Sequence, residues 1–190
     1  MTQILYKYRT LTDFQRFMDI IVNKRLYAAH YKDLNDPMEG QYYYKDGILN
    51  NSIREKLYTD KNQLKILSLS KEKNNLLMWS HYSDGERGIA IGVKINDNIY
   101  DVTDVLYDGL HEVDRENYIN LSARGILSHK LSVWNYEKEV RVFVENEKFI
   151  NVDIHEIILG SRIDHNLENL LRQIVREIDP NIRLIKRTRN

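Results

Sequence analysis

The sequence predicts one α+β domain in which mainly antiparallel strands form the sheet and helices flank it. Three observations support this expectation. The 190 residues, of which 42% are hydrophobic, suffice for one sizeable core but are few for two domains. Apolar positions change repeatedly between the two-residue spacing of strands and the three- to four-residue spacing of helices. Finally, no internal repeat or low-complexity linker divides the chain, so residues 1–190 are expected to form a single domain.

The strand predictions rest on alternating apolar positions and on β-branched or aromatic residues. The uncharged run that begins at Gly88 predicts a central strand. Near the end of the chain, valines occupy one face of a strand, and Glu139, Arg141 and Phe143 occupy the other. The expected strands cover residues 4–8, 26–30, 65–70, 88–95, 102–107, 139–144 and 154–159.

The helix predictions rest on apolar faces and on capping residues. Thr12 is placed to cap the first helix, with Gln15 in the capping-box position. Further helices are expected over residues 48–63, 75–82, 115–131 and 166–178. In the last of these, which Pro180 ends, the residues expected to face inward are Leu167, Leu170, Leu171, Ile174 and Ile178.

The final segment, residues 181–190, is basic because it contains Arg183, Lys186, Arg187 and Arg189. We interpret it as a solvated tail, and phosphate binding is the alternative.

Composition and charge exclude several classes of protein. Lys plus Arg (28) equals Asp plus Glu (28), so the whole molecule has no net charge to attract nucleic acid or an anionic membrane. The absence of cysteine excludes disulfides and thiolate chemistry. No signal-peptide pattern and no run of about 18 apolar residues is present, which predicts a cytoplasmic location without a membrane partner.

Several common sequence motifs are missing. The histidines are widely separated and form no His-x-x-x-His pair, so no metal site is expected. Neither a Walker-type loop nor a Rossmann glycine motif is present. There is also no Gly-x-Ser-x-Gly elbow that would make a serine a hydrolase nucleophile.

Glu137, Glu139 and Arg141 form the densest polar cluster. In an extended strand these three side chains share one face at intervals of about 7 Å. Two carboxylates and a guanidinium there could bind a ribose diol, position a nucleophile or stabilise a developing cation. The alternative is an exposed sheet face with cross-strand ion pairs.

A second cluster contains Trp79, His81 and Tyr82. Helical spacing places Trp79 and Tyr82 on a common face. Beside that face, His81 could act as a general base or as a hydrogen-bond donor to a phosphate. A hydrogen-bonded structural histidine is the alternative.

Residues 35–40 predict a structured loop that carries two carboxylates, Asp36 and Glu39. The carboxylates could bind Mg²⁺ or act as a base, whereas the alternative is an Asx turn in which a side chain caps its own backbone. Ser68 and Ser70 are expected to lie on one side of their strand.

Several of these segments together resemble the bacterial family known as domain of unknown function 2971. The resemblance covers roughly residues 4–160. It rests on five segments in this order: Leu5–Arg9, Asn35–Glu39, Ser68–Ser70, Met78–Tyr82 with Gly88, and Trp134–Arg141.

A more distant similarity is to ADP-ribosyltransferases, which have an Arg-Ser-Glu arrangement on three strands. This similarity implies split sheets around a cleft that binds NAD as the substrate. It also implies that Arg9 or Lys7 contacts the nucleotide, that a serine follows, and that a glutamate supports an oxocarbenium-like transition state. Together with the clusters above, it assigns catalysis to Glu139, Glu137 and His81, and ligand binding to Arg9, Lys7, Tyr8, Ser68, Ser70, Trp79, Tyr82 and Arg141.

Two classes of function follow from these observations. The first is an ADP-ribosyltransferase-like enzyme that modifies a protein or nucleic-acid target, in a toxin or phage-defence setting. The second is a non-catalytic module that binds a nucleotide, a peptide or a nucleic acid in an aromatic groove of Trp79, Tyr82, Trp134 and Tyr136. A metal-dependent nuclease that uses Asp36, Glu39, Glu137 and Glu139 ranks third.

Overall fold

The computed structural model describes residues 3–45, 47–114 and 118–188, and within them eight strands form the main sheet. The strands are β1 (Leu5–Arg9), β2 (Arg25–Tyr27), β3 (Ala29–His30), β4 (Tyr42–Tyr44), β5 (Leu64–Ser70), β6 (Ile89–Lys94), β7 (Asp101–Asp104), β8 (His111–Val113), β9 (Glu139–Glu145), β10 (Phe149–Asn151), β11 (Asp153–Leu159) and β12 (Arg183–Lys186). The α-helices are α1 (Phe14–Asn23), α2 (Asn51–Gln63), α3 (Leu76–Tyr82), α4 (Ala123–Ile126) and α5 (His165–Ile178).

The main sheet has the strand order β12-β11-β6-β1-β5-β9-β7, and β3 pairs with β5 outside this path. Its neighbours are antiparallel except for β11 and β12, which run parallel. Two small sheets, β10 with β2 and β4 with β8, lie beside it. The structure therefore confirms the predicted α+β class with a mainly antiparallel sheet.

The main sheet is nearly divided between its central strands, β1 and β5. β1 pairs with β6 along its whole length, and β5 pairs with β9 along its whole length. Between β1 and β5, in contrast, the register contains a single pair, Tyr6 with Ser70. Beyond that pair the two strands line an open cleft instead of bonding to each other.

The two faces of the sheet have different character. One face carries the largest core, in which Leu67 and Leu69 of β5 and Val140 and Val142 of β9 pack in the same cluster as buried residues of α1 and α5. The opposite face carries two smaller clusters. One contains Tyr6, Tyr8, Met78, Trp79, Ala90 and Ile158, and the other contains Tyr31, Ile66, Leu127 and Phe143. The polar side chains of β9 lie on this second face.

The predicted helix over residues 115–131 is wrong. Residues 115–117 lie outside the described residues, Tyr118–Asn120 form a 3₁₀ turn, and α4 is one short helix. Ser122 starts α4 by accepting a hydrogen bond from the amide of Gly125 at 3.0 Å, and the helix ends before Leu127. The predicted cap of α1 is also wrong, because Asp13, one residue after Thr12, accepts from the amide of Arg16 at 3.2 Å.

The basic C-terminal segment is not a solvated tail, because residues 183–186 form β12 at the edge of the main sheet. Arg183 pairs with the buried Glu156, and Arg187 pairs with Glu86 at 2.9 Å. Arg189 lies outside the described residues. The charged side chains of residues 183, 186 and 187 thus have partners in β11, in α5 and in the loop before β6.

The inward face of α5 also differs from the prediction. Leu171 and Val175 are buried, whereas Leu170 and Ile178 are 45% and 37% exposed.

In the part of the chain that the structure describes, no helix has the length and apolar character needed to cross a membrane.

Candidate functional site

The cleft between β1 and β5 has a volume of about 470 Å³. Its walls come from β1, β5 and the start of β9, from the C-terminal end of α3 and from the loop at residues 33–35. The strands separate here because only Tyr6 and Ser70 pair, and Lys7 takes over one backbone acceptor that a sheet bond would otherwise use. Its Nζ donates to the carbonyl oxygen of Ser68 at 2.9 Å.

A chain of buried charges forms one end of the cleft. Arg141 donates from both terminal nitrogens to the carboxylate of Glu39, at 2.5 and 2.7 Å, and from Nε to Glu139 at 2.8 Å. Lys130 then joins two carboxylates, because its Nζ lies 3.0 Å from Oε2 of Glu139 and 2.5 Å from Oε2 of Glu137. Bidentate and bridged pairs of this kind hold each oxygen at a fixed position.

The chain continues from Glu137 to α3 and returns to the loop from which it started. The hydroxyl of Tyr82 donates to Oε1 of Glu137 at 2.5 Å, and it accepts from Nδ2 of Asn35 at 3.2 Å. Glu39 and Asn35 belong to the same loop, so that loop is tied to both ends of the charged chain. The carboxylates are therefore held by neighbours from several separate segments.

The charges of this cluster fix its protonation. Burial by itself would raise the pKa of Glu139, but the charges and hydrogen bonds of Arg141 and Lys130 outweigh it and lower that pKa to about 2. Burial disfavours the charged form of Lys130, yet Glu139 and Glu137 hold its pKa above the ordinary value. Burial raises the pKa of Glu39, and Arg141 opposes this in part. With all five groups ionised, three carboxylates face two cations and one negative charge is in excess.

Cations also line the cleft. Lys7 and Arg9 are half-buried on β1, and the exposed Arg16 of α1 stands at the mouth. Arg16 pairs with Asp13 at 2.8 Å, whereas neither Lys7 nor Arg9 forms an ion pair with a described residue. Burial and the neighbouring Arg16 lower the pKa of Arg9, a sign that its charge is incompletely compensated.

Tyr27 also lines the cleft and is 48% exposed. Its ring packs edge-on against Phe149, with 5.7 Å between the centroids. A cleft that offers an aromatic ring and two unpaired cations suits a planar, anionic ligand.

The two predicted serines have different roles. Ser70 is buried, donates to the carbonyl oxygen of Glu137 at 2.6 Å and accepts from the amide of Glu72 at 3.0 Å. Its hydroxyl therefore serves the backbone that carries Glu137. Ser68 is half-buried in the cleft, and its hydroxyl stabilises the ionised form of Glu139 by hydrogen bonding.

Glu137 and Glu139 do come together, although the predicted geometry for them was wrong. Residues Ser132–Glu137 form a 3₁₀ helix, and Lys138 has a left-handed backbone with φ of 44°. Glu137 thus precedes β9 and reaches Glu139 around a turn, not along an extended strand. The face that carries Glu139 and Arg141 is buried, so the alternative of an exposed sheet face is also wrong.

The aromatic residues are distributed between core and cleft. Trp79 is fully buried, packs edge-on against Tyr8 with centroids 5.2 Å apart, and donates from Nε1 to the carbonyl oxygen of Lys73. Tyr82 packs against the same cluster as Trp79, as their helical spacing predicted, but Trp79 does not line the cleft. Tyr82 does line it, together with the exposed His81.

The rest of the predicted aromatic groove lies beside the cleft. The ring of Tyr136 stands 6.1 Å from Trp134 and 6.3 Å from His81, measured between centroids. Lys130 lies 5.1 Å from the centre of the Trp134 ring. These rings therefore border the Glu137 end of the cleft, without the contribution of Trp79 that the prediction included.

The loop carboxylates are committed to structure. Asp36 accepts from the amide of Met38 at 2.9 Å, which is the Asx turn that the sequence offered as an alternative. Glu39 pairs with Arg141. Within the described residues, no group of three or more His, Asp or Glu side chains is arranged to hold a metal ion.

Sequence reasoning missed Lys130, Asn35, Arg16 and Tyr27 as site residues. Lys130 had a weak signal, since it precedes the Glu137 and Glu139 segment by only a few residues. Arg16 lies on α1 and Tyr27 on β2, which contact each other, and no local pattern reveals that both side chains line the cleft.

Comparisons with protein-family models, with curated proteins and with solved structures found no match to this chain.

Proposed function

We propose that this domain binds NAD in the cleft and transfers ADP-ribose from it to a protein or nucleic-acid target. The observation that carries the proposal is that one cleft is lined by groups of both charges. Lys7 and Arg9 of β1 supply the positive charge, and Glu137 and Glu139 supply the negative charge. NAD has the matching polarity, because its diphosphate is anionic and its nicotinamide ring is cationic.

Lys7 and Arg9 suit the diphosphate of NAD. Lys7 and Arg9 are two residues apart on one strand, so their side chains point to the same face at a spacing of about 7 Å. Their charges are incompletely neutralised by the protein, and a bound diphosphate would complete that neutralisation. Arg16 adds a third cation at the mouth of the cleft.

The carboxylate of Glu139 suits the reacting ribose of NAD. When the bond between the ribose and nicotinamide breaks, the ring leaves as neutral nicotinamide and positive charge develops on the sugar. Glu139 is ionised at neutral pH because its pKa is about 2. A carboxylate that is already fixed in place by Arg141 and Lys130 stabilises that charge without reorganising.

The acceptor would approach from the side of α3. His81 is exposed there, lines the cleft and lies near the ring of Tyr136. An imidazole in this position is suited to take a proton from an acceptor group that attacks the ribose.

The test is a calorimetric titration with NAD, NADH and ADP-ribose, combined with an assay of nicotinamide release. NADH has the same phosphates but a neutral ring, so the proposal expects it to bind about tenfold more weakly than NAD, the loss of one favourable charge interaction. Equal or tighter binding of NADH would contradict the recognition of the cationic nicotinamide ring by the carboxylates of the cleft. No binding of NAD at millimolar concentration would refute the proposal.

The matched variants are Glu139→Gln and Glu168→Gln. Glu139→Gln is expected to lower the rate of nicotinamide release by roughly 10²–10³-fold, the usual effect of removing one preorganised electrostatic group. Glu168 lies on α5 and pairs with Arg172 and Lys186 outside the cleft, so its variant should retain the full rate. Saturable NAD binding without nicotinamide release in the unaltered protein would favour the non-catalytic module.

A further inference from the structure

The ε-amine of Lys7 differs from those of the other buried lysines. Lys130 is enclosed by two carboxylates that keep it protonated. Lys61 is covered by the rings of Tyr31 and Tyr42 and donates to the carbonyl oxygen of Gly40. Lys7 instead lines an open cleft of about 470 Å³, and among the described residues its side chain hydrogen-bonds to the carbonyl oxygen of Ser68 alone.

The surroundings of Lys7 favour the neutral amine. Burial lowers the pKa of Lys7 to about 8, and the neighbouring Arg9 lowers it in the same direction. The charges of Glu139 and Glu137, which line the same cleft, oppose this shift but do not cancel it. Desolvation beside another cation is a recognised way to make a lysine nucleophilic at moderate pH.

Arg9 supplies a second feature, an anion site at a defined distance. It is half-buried in the same cleft, forms no ion pair with a described residue, and follows Lys7 by two residues on β1. Alternate residues of a strand point to one face about 7 Å apart. An aldehyde that carries a phosphate group several bonds away can therefore reach both side chains at once.

We propose that Lys7 is a reactive amine that forms an imine with small phosphorylated aldehydes, with Arg9 holding the phosphate. The neutral amine attacks the aldehyde carbon and gives a carbinolamine. Loss of one water molecule, which takes the aldehyde oxygen and the two amine hydrogens, then forms the C=N bond. No oxidant or reductant is consumed. This activity does not depend on NAD binding or on ADP-ribose transfer.

The test uses pyridoxal 5′-phosphate as the probe, with sodium borohydride to reduce the imine to a stable secondary amine. Peptide mapping by mass spectrometry then locates the label. At low probe concentration Lys7 is expected to be labelled before the exposed Lys56, whose side chain is 76% accessible. The initial rate at Lys7 should rise with pH to a half-maximum near its pKa of about 8.

Two variants separate this proposal from its alternatives. Arg9→Gln should lower the rate of labelling by pyridoxal 5′-phosphate about tenfold more than the rate with phosphate-free pyridoxal, the effect of one charge-assisted contact. Loss of the Arg9 charge also raises the pKa of Lys7, which slows both reactions alike. Excess inorganic phosphate should have the same selective effect on the unaltered protein. Lys7→Arg keeps the positive charge and removes the nucleophile, so it should lose the label at this position while the labelling of Lys56 stays the same.

The results that would overturn the proposal are equally specific. Labelling that is spread over exposed lysines while Lys7 stays unmodified would show that Lys7 serves only to bridge the divided sheet. A labelling rate at Lys7 that is the same with pyridoxal and pyridoxal 5′-phosphate would remove the role of Arg9. If the unaltered protein does not bind NAD but is labelled at Lys7 as expected, the proposed function is refuted and this inference stands.

Discussion

Replacement of Arg141 by methionine tests whether the buried charge cluster is held together by this one guanidinium. Arg141 is almost completely buried and donates to both Glu39 and Glu139, and it is the ion-pair partner of Glu39 among the described residues. Removing one partner of a buried ion pair leaves an uncompensated charge and costs about 3–5 kcal/mol. We therefore expect Arg141→Met to lower the free energy of unfolding at pH 7 by about that amount.

The pH dependence of the same variant gives a sharper test. In the unaltered protein the folded-state pKa of Glu139 is about 2 and its ordinary value is 4.5, which corresponds to about 3 kcal/mol of stability. Because the folded pKa is the lower one, this contribution is present above pH 4.5 and is lost as the pH falls towards 2. Acid should therefore destabilise the unaltered protein in that window.

The variant should show the opposite slope at higher pH. Burial already raises the pKa of Glu39, and without Arg141 only the charge of Lys130 opposes that shift. A raised carboxyl pKa contributes stability below its unfolded value and loses it as the pH rises through the folded value. As the pH falls from 7 to 5, the stability of Arg141→Met should thus increase more than that of the unaltered protein.

The assay is urea unfolding followed by circular dichroism from pH 3 to pH 8. The double variant Arg141→Met with Glu39→Gln should recover part of the loss at pH 7, because the unpaired charge is gone. Arg172→Met, which breaks a pair on the surface of α5, should cost no more than about 1 kcal/mol. A loss below about 1 kcal/mol in Arg141→Met, or an unchanged slope between pH 7 and pH 5, would refute this reasoning.

Two further predictions concern the backbone that shapes the cleft. In Gly88→Ala, the new Cβ would lie 2.2 Å from the carbonyl oxygen of Arg9, so we expect a loss of at least about 2 kcal/mol in urea unfolding. Gly125→Ala, where the closest atom is the hydroxyl of Ser122 at 3.2 Å, should lose clearly less, and equal losses would contradict the argument. Ser70→Ala removes a buried hydroxyl that makes two hydrogen bonds and should cost about 1–3 kcal/mol. Ser68→Ala is the matched control, and its urea midpoint should shift less than that of Ser70→Ala.

Much of the fold could be predicted from the sequence because strands and long helices leave local patterns. The predicted strands over residues 65–70, 139–144 and 154–159 coincide with β5, β9 and β11 to within a residue or two. The predicted helix over 166–178 likewise coincides with α5. The prediction was wrong over residues 118–137, since short 3₁₀ turns have no periodic signature.

The candidate site could be predicted only in part. Residues on β1, β5 and β9 were identified because their chemistry stands out within strands that the pattern already places. Trp79 was predicted to bind the ligand, but its ring is buried in the core. A tryptophan can be buried when its indole N–H has an acceptor, which for Trp79 is the carbonyl oxygen of Lys73. Lys130 was missed because a lysine in a loop is ordinarily exposed.

The sequence by itself determined the α+β class, most of the strands and the residue types available for chemistry, because these depend on local periodicity and composition. The tertiary structure decided what those residues do. Pairing of β1 with β5 at one position alone opens the cleft. The tertiary contacts of α3 and of the Asn35 loop then bring Tyr82 to Glu137 and Glu39 to Arg141. These contacts join residues about 50 to 100 positions apart, and no local pattern encodes contacts over such separations.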